Sequence, residues 1–242
     1  MDDFSSRLAC IEDAITAAAR KAGRHPGEIE LVAVSKTQTV AAIQEAMRAG
    51  VMCFGENKVQ EARGKIDELG RGTWHLIGHL QSNKAKDAVR LFDSIDSVDR
   101  AELAQEINNR ANALGKTQNV LLQVNVAGES TKFGCAPGIA RALAEEINAL
   151  PRLNLTGLMT IAPFSPEPEK SRPHFAALRK LRDQIEADTG LQLPVLSMGM
   201  SGDFAIAIEE GATSVRIGTA LFGERLKLKQ RRPEDPSFTE ST

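Results

Sequence analysis

Eight short runs rich in apolar and β-branched residues recur along the chain, with helical patterns between them: LVAVSK, MCFGE, TWHLIG, FDSIDSV, NVLLQVNV, LNLTGLMTI, PVLSMG and SVRIGT. No other feature constrains the fold as much. The intervening stretches, such as VAAIQEAMRAG, AELAQEINNRANALG and PHFAALRKLRDQIEADTG, space their apolar residues by three and four, and several end in the glycine expected just past a helix. Strand and helix in alternation imply parallel strands joined by crossover helices. With 242 residues the chain is close to the ~250 typical of one (β/α)8 barrel, and no large insertion interrupts the beat. A single closed (β/α)8 TIM-type barrel is therefore expected over residues 1–226, with an open doubly wound sheet as the alternative.

An extra helix precedes the first strand, because Phe4, Leu8, Ile11, Ile15 and Ala18 fall on one helical face and the segment starts acidic, unlike a signal peptide. Residues 227–242 form a polar tail, KLKQRRPEDPSFTEST, whose Lys227, Lys229, Arg231 and Arg232 read as a solvated helix end. Thirty basic against 32 acidic residues leave a net charge of -2, which gives no electrostatic footprint for nucleic acid. No apolar stretch is long enough to span a membrane. Cys10, Cys53 and Cys135 are scattered and odd in number, as suits reduced thiols in the cytoplasm.

Several familiar motifs are absent. LGKT at 114–117 lacks the earlier glycine of a P-loop and reads as a helix stop. His75 and His79 are four apart, but WHLIGH is a strand running into a turn, so they share no helical face and no zinc site is expected.

In a parallel barrel, function gathers where strands end and βα loops begin. Lys36 ends the first run. A charge there is costly unless paired or neutralised, and the plain alternative is a lysine that leaves the strand and reaches water. Two adjacent units near the C-terminus carry small residues at the same place: SMGMSGDF, with Gly199, Ser201 and Gly202, and VRIGTALFG, with Gly218 and Thr219. The loops after strands seven and eight are where barrel enzymes often hold phosphate, and a helix N-terminus offers N–H groups to an anion. A lysine across from a phosphate cradle suits a phosphorylated aldehyde held as a Schiff base, and pyridoxal 5'-phosphate (PLP) fits that description. Desolvation beside an apolar strand would lower the lysine pKa toward the neutral amine that such chemistry needs.

AVSKT, FGENKVQEA, WHLIGHLQSNK, STKFG, GLMTIAP and SMGMSGDFAIAIEEGATSVRIGTALFG together resemble the pyridoxal phosphate homeostasis protein family, from about residue 5 to residue 226. The resemblance implies a barrel like the N-terminal domain of alanine racemase, with the cofactor on Lys36 and a role in binding and balancing it without established turnover. It also implies that Asn57 lines the ring, that Ser201, Gly202, Gly218 and Thr219 hold phosphate, that Arg216 faces the pyridine nitrogen, and that Met159 and Met200 pack on the ring. Lys58 stands where such proteins commonly carry a tyrosine. PLP is the implied partner, with other B6 vitamers and apo forms of PLP-dependent enzymes as further candidates, and a monomer is expected.

The loop GESTKFG, after Asn125, should overhang the same face as Lys36, which makes Lys132 a candidate secondary contact for incoming cofactor, with His79 a second one; a solvated loop lysine and a packed or capping histidine are the alternatives. A rival reading is an amino-acid racemase or decarboxylase. Against it, the chain has no tyrosine to act as the racemases' second base, which leaves His79 as the nearest candidate base. A sugar-phosphate or metal-assisted barrel enzyme would use the same loops, but no carboxylate cluster accompanies them.

Overall fold

The computed structural model describes residues 3–223. The eight runs form eight parallel strands in a closed barrel with the order β1 to β8. They are β1 Glu30–Val34, β2 Cys53–Glu56, β3 Thr73–Leu76, β4 Ser94–Val98, β5 Gln118–Gln123, β6 Leu153–Met159, β7 Val195–Met200 and β8 Ser214–Ile217. Closure comes from β1 against β8, with Val32 opposite Arg216. The closed barrel is thus the observed fold, and the open sheet is set aside.

Helix α1 (Phe4–Lys21) precedes β1. It begins at Asp3, whose carboxylate accepts the Ser6 N–H at 2.8 Å, a standard N-cap. Between strands lie α2 (Val40–Arg48), α3 (Val59–Leu69), α4 (Ala85–Leu91), α5 (Ala101–Ala113), α6 (Ala140–Asn148), α7 (Arg172–Thr189) and α8 (Phe204–Glu209), and α9 (Thr219–Phe222) follows β8. The outer ring is sealed by α1, which packs on α8, α9 and α2. Phe4 lies 5.5 Å from Phe222, ring centre to ring centre, and Arg7 Nε donates to the Leu221 carbonyl at 2.8 Å. Helix α5 stops at Gly115, in the left-handed region at φ 64°, as the LGKT stretch predicts.

The main apolar core lies between strands and helices, where Ala33, Phe54, Leu76, Ile95, Leu122, Leu158 and Ile217 face the helical ring. Val32, Val34, Leu121 and Met159 are buried but stand apart from that cluster, on the inward face of their strands. Period-two alternation carries this face from Val32 and Val34 on to Lys36, so the lysine leaves β1 on the side that opens into the barrel mouth. Among the described residues no helix is long and apolar enough to cross a membrane. The expected tail at 227–242 lies outside the described residues.

Candidate functional site

A cavity of about 270 Å³ opens at the C-terminal ends of the strands, lined by Lys36, Met200, Ser201, Gly202, Arg216, Gly218 and Thr219. Seven of the residues singled out in the sequence therefore share one space. Val34, Asp203 and the segment Pro163 to Ser165 complete its wall, and Phe164 stands at the rim with 90% of its surface exposed.

The two glycine-bearing loops meet directly. Ser201 Oγ accepts hydrogen bonds from the Gly218 and Ala220 N–H groups, each at 3.3 Å, which ties the loop after β7 to the start of α9. Asp203 braces the same loop: its Oδ1 accepts the Met200 N–H at 2.7 Å and its Oδ2 accepts the Ser171 hydroxyl at 2.9 Å. Gly199 is required here by geometry. Its φ is +91°, and a Cβ at this position would lie 2.5 Å from the Ala207 side chain, so only glycine lets α8 lie this close to β7.

Arg216 is buried beneath the cavity. Its guanidinium donates to Ser197 Oγ at 2.6 Å and to the Thr160 carbonyl at 2.7 Å. Burial pulls its pKa down to about 10, so it stays charged at neutral pH and can only donate. The outward, salt-bridged arginine that a surface strand would show is not what forms here.

Lys36 is flanked by a buried polar network. Ser35 Oγ donates to Glu56 Oε1 at 2.7 Å, and Lys65 Nζ, reaching in from α3, donates to the same oxygen at 2.7 Å and to the Ser35 carbonyl at 2.8 Å. Lys65 also pairs with Glu61 at 2.7 Å, and Glu61 accepts the Thr37 N–H. Burial pushes the Glu56 carboxyl up despite Lys65 and Ser35. Glu61 is held below the ordinary carboxylate range because the Lys65 and Thr37 hydrogen bonds outweigh its burial. Thr37 adopts φ 65°, the left-handed region in which a β-branched residue is strained. The residues on both sides of Lys36 are thus clamped to one helix. Sequence reading passed over Lys65, although it falls three residues after Ala62 and six after Val59 on the buried stripe of α3; a lysine on an apolar stripe was the available signal.

The remaining candidates lie elsewhere. Met159 is fully buried inside the barrel and does not line the cavity. Asn57 and His79 line a neighbouring cavity of about 350 Å³ with Lys58, Gln81 and Lys84. The Asn57 backbone is pressed against Gly78, where a Cβ would lie 2.3 Å from the Asn57 carbonyl oxygen. His79 stacks on Phe133, with ring centres 3.9 Å apart and planes at 13°. The loop carrying Lys132 is pinned from inside, since Asn125 Nδ2 donates to the Glu129 and Lys132 carbonyls at 2.8 and 3.2 Å. Lys132 is half-buried and outside the cavity that holds Lys36.

A closed barrel with a lysine after β1 and facing loops after β7 and β8 defines a chain of the racemase-barrel class, and the family model described as "Alanine racemase, N-terminal domain" matches residues 9–226. More closely, the chain is 48% identical over 228 residues to the pyridoxal phosphate homeostasis protein of Pseudomonas aeruginosa, covering 93% of this chain and 97% of that one. It belongs to the pyridoxal phosphate homeostasis protein family. PipY of Synechococcus elongatus, solved with PLP bound, superposes with a TM-score of 0.80 at 39% identity, over 91% of this chain and 100% of that chain. An alanine racemase of Clostridium difficile, at 18% identity and a TM-score of 0.74 over 93% of this chain and 58% of its own, shares the barrel fold.

Proposed function

We propose that the protein binds PLP as a Schiff base on Lys36 and serves to hold and deliver the cofactor inside the cell, without turnover of a substrate. The observation that carries this reading is the shared cavity: Lys36, Arg216 and the two joined loops face one space at the catalytic end of a racemase-type barrel. The chemistry of the donor set fits the group. It comprises one primary amine, one buried guanidinium, the hydroxyls of Ser201 and Thr219 and the backbone N–H groups of Gly202 and Thr219, to match an aldehyde, a ring nitrogen that can accept, and a phosphate; the Gly218 N–H is engaged by Ser201 Oγ and holds the loop in place. PLP, when bound, supplies an electrophilic aldehyde and an aromatic ring able to withdraw electrons.

The residues of the chain divide the work. Lys36 supplies the amine, and the Ser35 and Thr37 clamps fix where its backbone sits. Ser201, Gly202 and Thr219 hold the phosphate, Gly218 holds their loop in place, and Met200 covers the ring from the cavity wall. Arg216 donates toward the ring nitrogen and, being unable to accept a proton from it, keeps that nitrogen unprotonated and the ring a weak electron sink. Two observations favour holding over catalysis: the chain has no tyrosine, and His79 is stacked on Phe133 in a separate cavity. Met159 supports the site from inside the barrel, and Asn57, His79 and Lys132 act from its periphery in this reading. Other B6 vitamers and apo enzymes are its further partners, the three unpaired cysteines accord with a reduced, cytoplasmic setting, and a monomer is proposed because one chain lines the cavity.

The test is borohydride reduction of the PLP-loaded full chain followed by peptide mapping. The label is expected on Lys36 and absent in Lys36→Ala; a label on another lysine of the native protein would overturn the assignment. Sustained turnover of amino acids by the loaded protein would overturn the carrier part alone.

A further inference from the structure

The opposite end of the barrel carries a second cluster of chemically active side chains. Glu30 opens β1, Cys53 opens β2 and His75 sits on the adjacent β3, so parallel register places all three at the N-terminal rim, with Cys53 directly opposite Thr73. Among the described residues these three form a group whose carboxylate oxygen, thiol sulfur and imidazole nitrogen all lie within 4.8 Å of one another. The sequence pairs His75 with His79 and finds no ligand set; the fold gives His75 different neighbours.

We propose that Glu30, Cys53 and His75 form a binding site for a zinc-class divalent metal ion. Four features support it. The donors are one sulfur, one nitrogen and one oxygen, the set that borderline-soft zinc accepts in tetrahedral sites. His75 is oriented as metal-bound histidines are: its Nδ1 lies 3.0 Å from Asp96 Oδ2, which leaves Nε2 for the metal, and Asp96 is itself held by the Ser94 hydroxyl at 2.5 Å. Bond lengths of about 2.0–2.3 Å place tetrahedral ligands roughly 3.3–3.8 Å apart, so small side-chain rotations close the site. Finally, a thiolate and a carboxylate together balance a dication with no charge left over.

A cavity of about 280 Å³ lined by Glu30, His75, Thr73, Asp93 and Asp96 adjoins the cluster. Asp93 Oδ2 accepts the Trp74 N–H at 2.8 Å, and in this proposal water from the cavity supplies the fourth ligand.

The experiment is a zinc titration of the cofactor-free, chelator-stripped full chain against a competing chromophoric chelator, repeated with Co(II) to read the thiolate-to-metal charge-transfer band. One equivalent is expected, with the cobalt band lost in Cys53→Ser. Asp96→Asn should weaken zinc about 10–100-fold, and Glu30→Gln, at an exposed strand start, should weaken it while melting like the parent without metal. No uptake, or zinc bound as tightly by Cys53→Ser and Glu30→Gln as by the parent, overturns the site. The result is independent of PLP binding at the other end of the barrel.

Discussion

Lys65 Nζ lies 2.8 Å from the carbonyl oxygen of Ser35, so a side chain from helix α3 holds the main chain immediately before the proposed Schiff-base lysine. The same ammonium is the cationic partner of Glu56, which is fully buried. Lys65→Met strips that carboxylate of its counter-charge and is expected to cost about 3–5 kcal/mol. The double variant Lys65→Met/Glu56→Gln should lose less than the single one, because no buried charge is then left alone. Urea unfolding of the parent, the two single variants Lys65→Met and Glu56→Gln and the double variant checks this; a double variant as unstable as the sum of its parts would mean that the two residues do not act as a pair.

The proposed role of Arg216 is to keep the ring nitrogen of bound PLP unprotonated. Arg216→Glu replaces a pure donor with a group that favours a protonated ring nitrogen, and the absorbance spectrum of bound PLP, or its pH dependence, should change. An unchanged spectrum at full occupancy would place the guanidinium away from the ring. Loss of the Ser197 and Thr160 hydrogen bonds should also lower stability by about 1–3 kcal/mol.

Gly199→Ala tests the seating of the loops proposed to hold phosphate. A Cβ 2.5 Å from Ala207 at φ +91° forces either strain or a shift of α8, at roughly 1–3 kcal/mol. Because Ser201 follows two residues later, PLP occupancy should fall along with the melting temperature. Unaltered occupancy in a destabilised variant would uncouple this loop from the cofactor.

Lys132 sits in a pinned loop outside the main cavity, so its proposed part is kinetic. Lys132→Ala should retain the reducible link at Lys36 yet slow transfer of cofactor to an apo-enzyme acceptor, since charges at an exposed mouth act on rates more than on affinity. Equal transfer rates at matched occupancy and low salt would make Lys132 an ordinary loop residue.

The architecture was legible in the sequence because a parallel strand buried on both faces reads as an apolar run, and a crossover helix reads as a three-four repeat. The same logic placed Lys36 and the loops around Ser201 and Thr219, since strand ends fix the barrel mouth. It did not reach the Lys65 network, which depends on how far α3 leans over β1 and β2, a tertiary quantity with no period. Nor did it reach the Glu30, Cys53 and His75 cluster, whose members are dispersed over three strands and meet only through lateral register. Met159 shows the converse: its strand-end position was readable, but whether it faces the cavity or lies below it depends on depth along the barrel axis, which spacing does not encode.

Helix α1 docks against α8 and α9, and the Arg7 to Leu221 contact spans 214 residues. During synthesis at about 5–20 residues per second, roughly 10–40 s separate the emergence of these two partners. For that interval the stripe of Phe4, Leu8, Ile11 and Ile15 lacks the surface that finally covers it. Among the described residues the last helices to arrive are those that flank the loops carrying Ser201 and Thr219, so the nascent chain hides its first greasy face in the same step that completes its proposed cofactor pocket. A ribosome stalled shortly before α8 would therefore present both an exposed amphipathic helix, attractive to chaperones, and an unfinished pocket, which ties quality control of the young protein to its readiness to take up ligand.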